Sequence, residues 1–370
     1  MKIEKVKFDR LKMPLLSPFQ TSFGTATVRE FVLVSVYGEG HVGYAECVAM
    51  DAPVYNEETI DSALHVAEQF IIPKLLETEL ETPDDFSTLF SWIRRNNMAK
   101  SGIESAIWDL YAKQKGIPLS KALGGKKEEI EVGVSIGIEP TVEGLLKKVE
   151  GFLEEGYKKI KIKIKPGVDV ERIRAVRERF GYDVPLMADA NSAYTLADIE
   201  TLKQLDQYKL IMIEQPLAHD DIVDHAKLQR ELETPICLDE SIHSLEDARK
   251  AIELGSCKII NIKIGRVGGL TQAKKIHDLC QEKGIPVWCG GMLESGIGRA
   301  HNIAIASLSN FTIPGDTSAS KKYWAEDIIE PEVFLSKPGI VTVPKEPGIG
   351  YKLRQDVVDK YLLSSKVYCK

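Results

Sequence analysis

The chain has 370 residues, of which 44% are hydrophobic and 28% charged, and its formal net charge is −7 at pH 7. These values are ordinary for a globular protein, and the acidic balance without any basic block argues against nucleic-acid binding. No apolar run approaches the roughly 18 residues of a membrane-spanning helix, so we expect a cytoplasmic protein with no membrane partner.

Residues 1–125 predict a small α+β domain. Three strand-like runs come first and are followed by helical patterns near residues 57–78, 83–96 and 98–116. Between the first two strands, the segment PLLSPFQTSFGT at 14–25 has no regular periodicity and carries Phe19 and Phe23. We expect this loop to be a lid above a site, although both phenylalanines could equally well anchor the loop to the core.

Residues 126–320 alternate short apolar runs, rich in β-branched residues, with segments of helical period. That alternation is typical of repeated βα units around a parallel sheet. The eight candidate strands are 131–136, 157–164, 184–189, 209–214, 235–239, 258–263, 286–290 and 311–315. We therefore predict an α/β fold, a TIM-type (β/α)7β barrel, whose α+β capping domain combines residues 1–125 with the segment 321–370.

The second predicted strand contains KIKIKIKP, in which alternating lysines share one face; they are Lys159, Lys161, Lys163 and Lys165. Taken alone, this pattern is typical of an edge strand whose lysines face water. The later strands change that interpretation, because each central strand also ends on a charged residue. After Lys163, such residues follow at steps of 26, 25, 25 and 24 positions, as Asp189, Glu214, Asp239 and Lys263. The near-constant step indicates the carboxyl ends of successive strands, which meet at the mouth of a barrel.

Three carboxylates on neighbouring strands would repel one another if buried, although charges at strand ends could also be ordinary solvated loop starts. A divalent cation removes the repulsion, and carboxylates without His or Cys ligands favour Mg²⁺ or Mn²⁺ over Zn²⁺. Such a cation would bind a small-molecule carboxylate, and a lysine beside it could remove the proton α to that carboxylate. For that task the pKa of Lys163 must fall, and Lys161, about 7 Å away along the strand, would lower it by like-charge repulsion.

Five separated motifs resemble one branch of a known superfamily. They are KIKIK in the second strand, DAN at 189–191, EQP at 214–216, DES at 239–241 and NIKIGRVGG at 261–269. Together they look like the muconate-lactonizing branch of the enolase superfamily, and most of all like its o-succinylbenzoate synthase and N-succinylamino acid (N-acylamino acid) racemase family. Segments such as MAKSGIESAIWDLYAK and VWCGGMLESGIGRAHN extend the resemblance along nearly the whole chain.

The resemblance implies that Asp189, Glu214 and Asp239 bind Mg²⁺, for which Mn²⁺ can substitute, and that Lys163 and Lys263 flank the substrate on opposite faces. In the synthase reaction, a step of menaquinone biosynthesis, Lys163 would remove the α-proton of 2-succinyl-6-hydroxy-2,4-cyclohexadiene-1-carboxylate and assist syn dehydration. Lys263 would stabilise the enediolate. In the racemase reaction each lysine would serve one enantiomer, so both activities would use the same residues.

The resemblance also assigns supporting positions. Lys161 would tune the pKa of the base, and Asn191 and Glu240 would orient the metal ligands, with ordinary loop capping as the alternative for both and of equal weight for Glu240. Ser135 and Met292 would line the substrate pocket. The family is commonly homo-oligomeric, so we expect a homo-oligomer.

Three sequence differences from related families bear on the expected activity. The chain has Ile264 where many relatives place a proline, which gives no physical reason to disable Lys263. The seventh strand lacks the histidine typical of acid-sugar dehydratases, and Asp316 is not part of the Asp-x-Asp motif typical of dipeptide epimerases. Acid-sugar dehydration and dipeptide epimerization are therefore disfavoured as activities of this chain. A noncatalytic barrel that only binds a ligand is the alternative from another functional class.

Overall fold

The computed structural model describes residues 1–369, which begin with a three-stranded antiparallel arrangement and a helical layer. The first strands are β1 (Lys5–Gln20), β2 (Thr25–Gly38) and β3 (His41–Cys47). The helices that follow are α1 (Ile60–Val66), α2 (Ile72–Glu77), α3 (Asp84–Leu89), α4 (Asn97–Gln114) and α5 (Leu119–Ala122), with a π-helical turn at Ala67–Ile71. Helix α4 packs against β2 and β3. It is buried along most of its length, so it forms the centre of the capping domain.

The segment 14–25, which was expected to be an irregular loop, is instead the end of a β-hairpin. Phe19 pairs with Ala26 and Gln20 pairs with Thr25, so only residues 21–24 form the turn. The register between β1 and β2 shifts between Pro14 and Phe19. That irregularity interrupts the period-two alternation, which is why the sequence pattern did not predict strands there.

The second region is a parallel sheet of seven strands in sequence order, which confirms the predicted α/β barrel architecture. A short strand, β4 (Glu129–Glu131), precedes it. The parallel strands are β5 (Val134–Ile136), β6 (Ile160–Lys163), β7 (Leu186–Asp189), β8 (Ile213–Glu214), β9 (Ile236–Leu238), β10 (Ile259–Ile262) and β11 (Val287–Cys289). Each lies inside one of the predicted ranges, and nearly all of their residues are buried, as expected for a sheet covered by helices.

The eighth predicted strand, 311–315, closes the sheet through two isolated parallel bridges. Phe311 bridges Val287 of β11, and Gly315 bridges Val132 just before β5. Glycine permits this approach, because a Cβ atom at residue 315 would lie 2.8 Å from the carbonyl oxygen of Cys289.

The helices around the sheet begin and end with recognisable caps. They are α6 (Val142–Glu154), α7 (Val170–Phe180), α8 (Ile199–Lys203), α9 (Val223–Glu231), α10 (Leu245–Leu254), α11 (Ile264–Val267), α12 (Leu270–Glu282) and α13 (Gly296–Ala306). Thr141 accepts a hydrogen bond from Gly144 N at the start of α6, and Ser244 accepts one from Asp247 N at the start of α10. Gly255 ends α10 in the left-handed region, with φ +70°.

The last part of the chain returns to both earlier regions. Its elements are β12 (Ile329–Glu330), β13 (Ile340–Thr342), β14 (Lys352–Leu353), α14 (Gln355–Tyr361) and β15 (Leu362–Cys369). Strand β13 pairs with β4, and β15 pairs with β1 as the edge strand of the capping sheet. Among residues 1–369, no helix combines the length and the apolar character needed to cross a membrane.

Candidate active site

A cavity of about 330 Å³ lies where the β1–β2 hairpin meets the carboxyl ends of the parallel strands. Eight of the predicted site residues line it: Phe19, Phe23, Ser135, Lys161, Lys163, Asn191, Lys263 and Met292. Phe19 also packs edge-on against Tyr323, with ring centroids 6.3 Å apart, and Phe23 packs against the core of the capping domain. Each side chain therefore faces the cavity and is anchored to a core, and the role of the segment as a lid stays a prediction.

The alternation in β6 gives the lysines their direction. Ile160, Ile162 and Ile164 belong to the hydrophobic core shared with the surrounding helices. Lys161 and Lys163 point the other way, into the cavity, and are almost completely buried. Lys159 is also buried, and its Nζ lies 3.5 Å from the ring centroid of Trp288. The lysine face of the strand is thus the inner face of the barrel.

Two carboxylates meet at the ends of β7 and β8, because Asp189 and Glu214 are direct partners in the parallel register. Their exposed fractions are 1% and 0%, and that of Asp239, directly after β9, is 0%. Burial, with the charge of Asp189 adding to it, raises the pKa of Glu214. Burial thus makes the negative charge of these carboxylates unfavourable unless positively charged groups compensate it.

Ammonium groups compensate that charge in the structure. Lys163 Nζ donates to Asp189 Oδ2 at 2.6 Å and to Asn191 Oδ1 at 2.6 Å. Lys161 Nζ donates to Glu214 Oε2 at 3.2 Å and forms ion pairs with Asp189 and Asp316. Burial lowers the pKa of Lys163, and the positive charge of Lys161 adds to this effect although Asp189 opposes it. A lowered pKa is the direction that a general base requires.

The opposite side of the site is built around Lys263, directly after β10. Its Nζ lies 2.8 Å from Asp239 Oδ2 and 4.5 Å from the ring centroid of Tyr55, a residue of the capping domain. Burial opposes its charge, but Tyr55 and then Glu240 and Glu214 raise the pKa of Lys263 above its ordinary value. Lys263 is therefore the more firmly protonated of the two lysines that were predicted to be catalytic.

Asn191 and Glu240 form a bridge behind the carboxylates. Asn191 Nδ2 donates to Glu240 Oε1 at 2.9 Å, and the amide side chain also accepts from Lys163. Glu240 Oε2 is buried without a hydrogen-bond partner. Burial and the charge of Asp189 raise the pKa of Glu240 to about 7. Asn191 thus links Lys163 to Glu240, and the orienting role expected of the two residues stays a prediction.

Four residues of the site were missed by the sequence reasoning. Asn261 donates to Glu214 Oε1 at 2.6 Å, Arg266 donates to Asp239 Oδ1, and Tyr55 donates to the same oxygen at 3.1 Å. Asp316 pairs with Lys161. Asn261 could have been found, because it precedes Lys263 by two positions and so shares its face of the strand. Tyr55 has no such signal.

The donors for a metal ion are present, although they do not form a ready-made coordination sphere. Among residues 1–369, no three His, Cys, Asp or Glu side chains converge closely enough to hold an ion as they stand. Asp189 and Glu214 are adjacent, but both oxygens of Asp239 are engaged by Lys263, Arg266 and Tyr55. The predicted convergence of three carboxylates is thus observed for two of them. All three are buried hard-oxygen donors without nitrogen or sulfur ligands, so the set fits Mg²⁺ in chemical type.

Comparison with known proteins places the chain in a family. A family described as enolase C-terminal domain-like matches residues 144–357, and the N-terminal domain of the mandelate racemase / muconate lactonizing enzyme family matches residues 4–124. The chain belongs to the enolase superfamily. The resemblance seen in the sequence motifs is confirmed.

This enolase-superfamily chain also has close relatives over its full length. It is 58% identical to an o-succinylbenzoate synthase of Geobacillus kaustophilus, covering 99% of this chain and 97% of the relative. It is 48% identical to an N-succinylamino acid racemase of Thermus thermophilus, covering 98% of each chain. A crystal structure of a superfamily member from Listeria innocua superposes with a TM-score of 0.96 at 45% identity, covering 100% of this chain and 99% of the other.

Proposed function

We propose that the protein is an o-succinylbenzoate synthase that acts in menaquinone biosynthesis. It would catalyse the syn dehydration of 2-succinyl-6-hydroxy-2,4-cyclohexadiene-1-carboxylate. Three relatives bearing the synthase name are 51 to 59% identical over 99 to 100% of the chain. The observation that carries the proposal is geometric: Lys163 and Lys263 enter one cavity from strands β6 and β10, with the three acid-bearing strands between them.

In the proposed reaction Lys163 acts on one face of the substrate. Its Nζ takes the α-proton, the electrons of the broken C–H bond move into the adjacent carboxylate, and the same ammonium group then protonates the departing hydroxyl. The C–O bond breaks, water leaves and the ring becomes aromatic. A single lysine suffices because the proton and the hydroxyl depart from the same face.

Lys263 would act from the other side of the cavity without transferring a proton. Its ammonium group, fixed by Asp239 and Tyr55, would stabilise the negative charge that develops on the substrate carboxylate. Asp189, Glu214 and Asp239 would hold Mg²⁺, or Mn²⁺ in its place, which when bound supplies further stabilisation of the same charge. To bind it, the carboxylates must release part of their contacts with the lysines.

The second candidate function is N-succinylamino acid racemase. It is favoured by the presence of two buried lysines rather than one, and by relatives with that name at 47 and 48% identity. One lysine would remove the α-proton of one enantiomer, and the lysine on the opposite face would protonate the resulting planar enediolate to give the other enantiomer. The same five ionisable residues serve both reactions, so the two functions can coexist in the protein.

Purified protein supplied with Mg²⁺ should be assayed with both substrates. We expect kcat/KM for dehydration, followed by the absorbance of the aromatic product, to exceed kcat/KM for racemization, followed by polarimetry. The reverse order would make racemase the principal function. A protein that only binds a ligand would show neither turnover nor metal-dependent exchange of the α-proton in deuterated solvent.

A further inference from the structure

The segment that follows Lys263 lies directly against the capping domain. It comprises α11, two glycines with positive φ and the first turn of α12. A Cβ atom at Gly265 would lie 2.4 Å from Val48 Cγ2 and 2.9 Å from Met98 Sδ, so the two domains touch without any gap there. The position of Lys263 therefore depends on a surface that belongs to the other domain.

Glu104, in the middle of α4, makes the central contact with this segment. Its side chain is 0% exposed. Its Oε2 accepts from Leu270 N at 2.7 Å and its Oε1 accepts from Thr271 N at 2.9 Å, so one carboxylate caps the start of α12. Trp108 Nε1 donates to Oε1 at 2.9 Å and to Thr271 Oγ1 at 3.0 Å. The carboxylate is thus fixed from its own helix as well.

The backbone of the segment is shaped around this carboxylate. Gly269 has φ +125°, and a Cβ atom at that position would lie 2.3 Å from Glu104 Oε2. Asn97, about two turns earlier on the same helix, donates to the carbonyl oxygens of Arg266 at 2.7 Å and His243 at 2.9 Å. Helix α4 therefore holds the segment at two points, three and seven residues beyond Lys263.

The Lys163 side of the site is supported differently. Lys163 is fixed by Asp189 and Asn191, which both belong to the barrel. The capping domain contacts this side through the hairpin turn, where Ser22 Oγ donates to the carbonyl oxygen of Asn191 at 3.0 Å. A defect at the α4 surface should consequently disturb Lys263 and leave Lys163 in place.

We propose that Glu104 is a positioning residue, by which the capping domain fixes Lys263 for the reaction; this inference rests on the proposed function. The two backbone N–H groups point at two different oxygens of Glu104, so only a carboxylate can accept from both. In Glu104→Gln one N–H would face the amide NH2 group. The start of α12 should shift, and with it the α11 segment and Lys263.

Asp109 provides a matched control on the same helix. It is also 0% exposed, and its two oxygens accept from two backbone N–H groups, Tyr44 N at 2.8 Å and Ile349 N at 2.7 Å. Neither donor belongs to the segment after Lys263. Asp109→Asn therefore also leaves an N–H group facing an amide NH2, with the added loss of the ion pair from Lys113 Nζ to Asp109 Oδ2 at 2.7 Å, at a place that does not contact the active-site segment.

The test compares wild type, Glu104→Gln and Asp109→Asn as full-length, Mg²⁺-loaded proteins. We expect kcat for dehydration to fall about tenfold or more in Glu104→Gln with KM within about twofold, because misplacement of a catalytic group slows turnover. Asp109→Asn should keep kcat within about twofold of wild type even if its melting temperature falls equally. Backbone hydrogen exchange should be faster at residues 264–271 in Glu104→Gln alone.

Equal kcat in wild type and Glu104→Gln, or equal losses in both variants, would overturn the inference. If Glu104→Gln does not fold, Trp108→Phe removes the indole N–H that donates to Glu104 and Thr271, and a smaller fall in kcat is expected with the same exchange pattern. If the wild-type protein does not dehydrate the substrate, the proposed function is wrong, but that result does not test the role of Glu104. The exchange comparison then decides the inference, and unchanged exchange at 264–271 would contradict it.

Discussion

At the scale of single residues, Lys163 is the side chain on which the proposed chemistry depends. Lys163→Ala should lower kcat for dehydration by about 10²- to 10⁴-fold, the range that general acid–base catalysis contributes. Lys165→Ala, two residues further along, removes a lysine that does not line the cavity and should leave turnover unchanged. Near-normal turnover in Lys163→Ala, measured with saturating substrate, would refute the assignment of the base.

Asp189 is the residue whose loss should be most evident in metal binding. Asp189→Asn removes the charge of one of three buried carboxylates, and we expect Mg²⁺ affinity to fall by more than the about 10- to 100-fold that outer partners contribute. Isothermal titration of the metal-free protein measures this. Asp206→Asn is the control, because Asp206 caps Thr234 N away from the site. An unchanged titration in Asp189→Asn would exclude Asp189 as a ligand.

At the scale of elements, the β1–β2 hairpin covers the cavity, and its role as a lid stays a prediction. Phe19→Ala removes a partly buried ring that faces both the cavity and Tyr323, so we expect KM to rise about fivefold, equivalent to about 1 kcal/mol of lost apolar contact. Trp92→Ala, an aromatic residue that is 60% exposed elsewhere on the capping domain, should not change KM. Identical KM values in all three proteins would count against the lid.

The buried carboxyl group of Glu104 on helix α4 should also make the stability of the protein depend on pH. Burial raises the pKa of Glu104 from 4.5 to about 7. The folded chain therefore binds a proton at Glu104 that the unfolded chain has released, so rising pH between about 4.5 and 7 reduces stability, in total by on the order of 3 kcal/mol. Below about pH 4.5 Glu104 is protonated in both the folded and the unfolded chain, so it does not reduce stability there.

Glu104→Gln should remove this contribution. The free energy of unfolding, measured by urea at pH 5 and pH 8, should fall more for wild type than for the variant as pH rises. Other carboxyls with raised pKa values, such as Glu46 and Glu240, are common to both proteins and cancel in the comparison. A pH-independent difference between the two proteins would show that folding does not raise the pKa of Glu104.

At the scale of the whole molecule, the barrel half of the site was predictable and the interdomain half was not. The steps of 24 to 26 residues place Lys163, Asp189, Glu214, Asp239 and Lys263 at equivalent strand ends, because a repeated βα unit repeats its geometry. Tyr55 reaches Asp239 only after the capping domain has docked, so no local period marks it. For the same reason, nothing in the spacing indicates that Tyr55 shares Oδ1 of Asp239 with Arg266.

Two further expectations concern the molecule in its surroundings. The homo-oligomer and the cytoplasmic location stay predictions. The first rests on the resemblance to a family that is commonly homo-oligomeric, and the second rests on the lack of a long apolar run in the sequence. Sedimentation velocity of the purified protein at several concentrations measures the first directly. A single monomeric species throughout would contradict it.

The pairing of β1 with β15 has a consequence for biosynthesis. Residues 5–11 pair with residues 362–369, which are far away in the sequence. Consecutive parallel strands of the barrel, in contrast, are separated by only about 25 residues. On the ribosome, the barrel can therefore assemble progressively while the first strand still presents one unpaired edge. Covering that edge requires residues 362–369, so a chain truncated before Leu362 should leave the edge of β1 unpaired and prone to association with other copies.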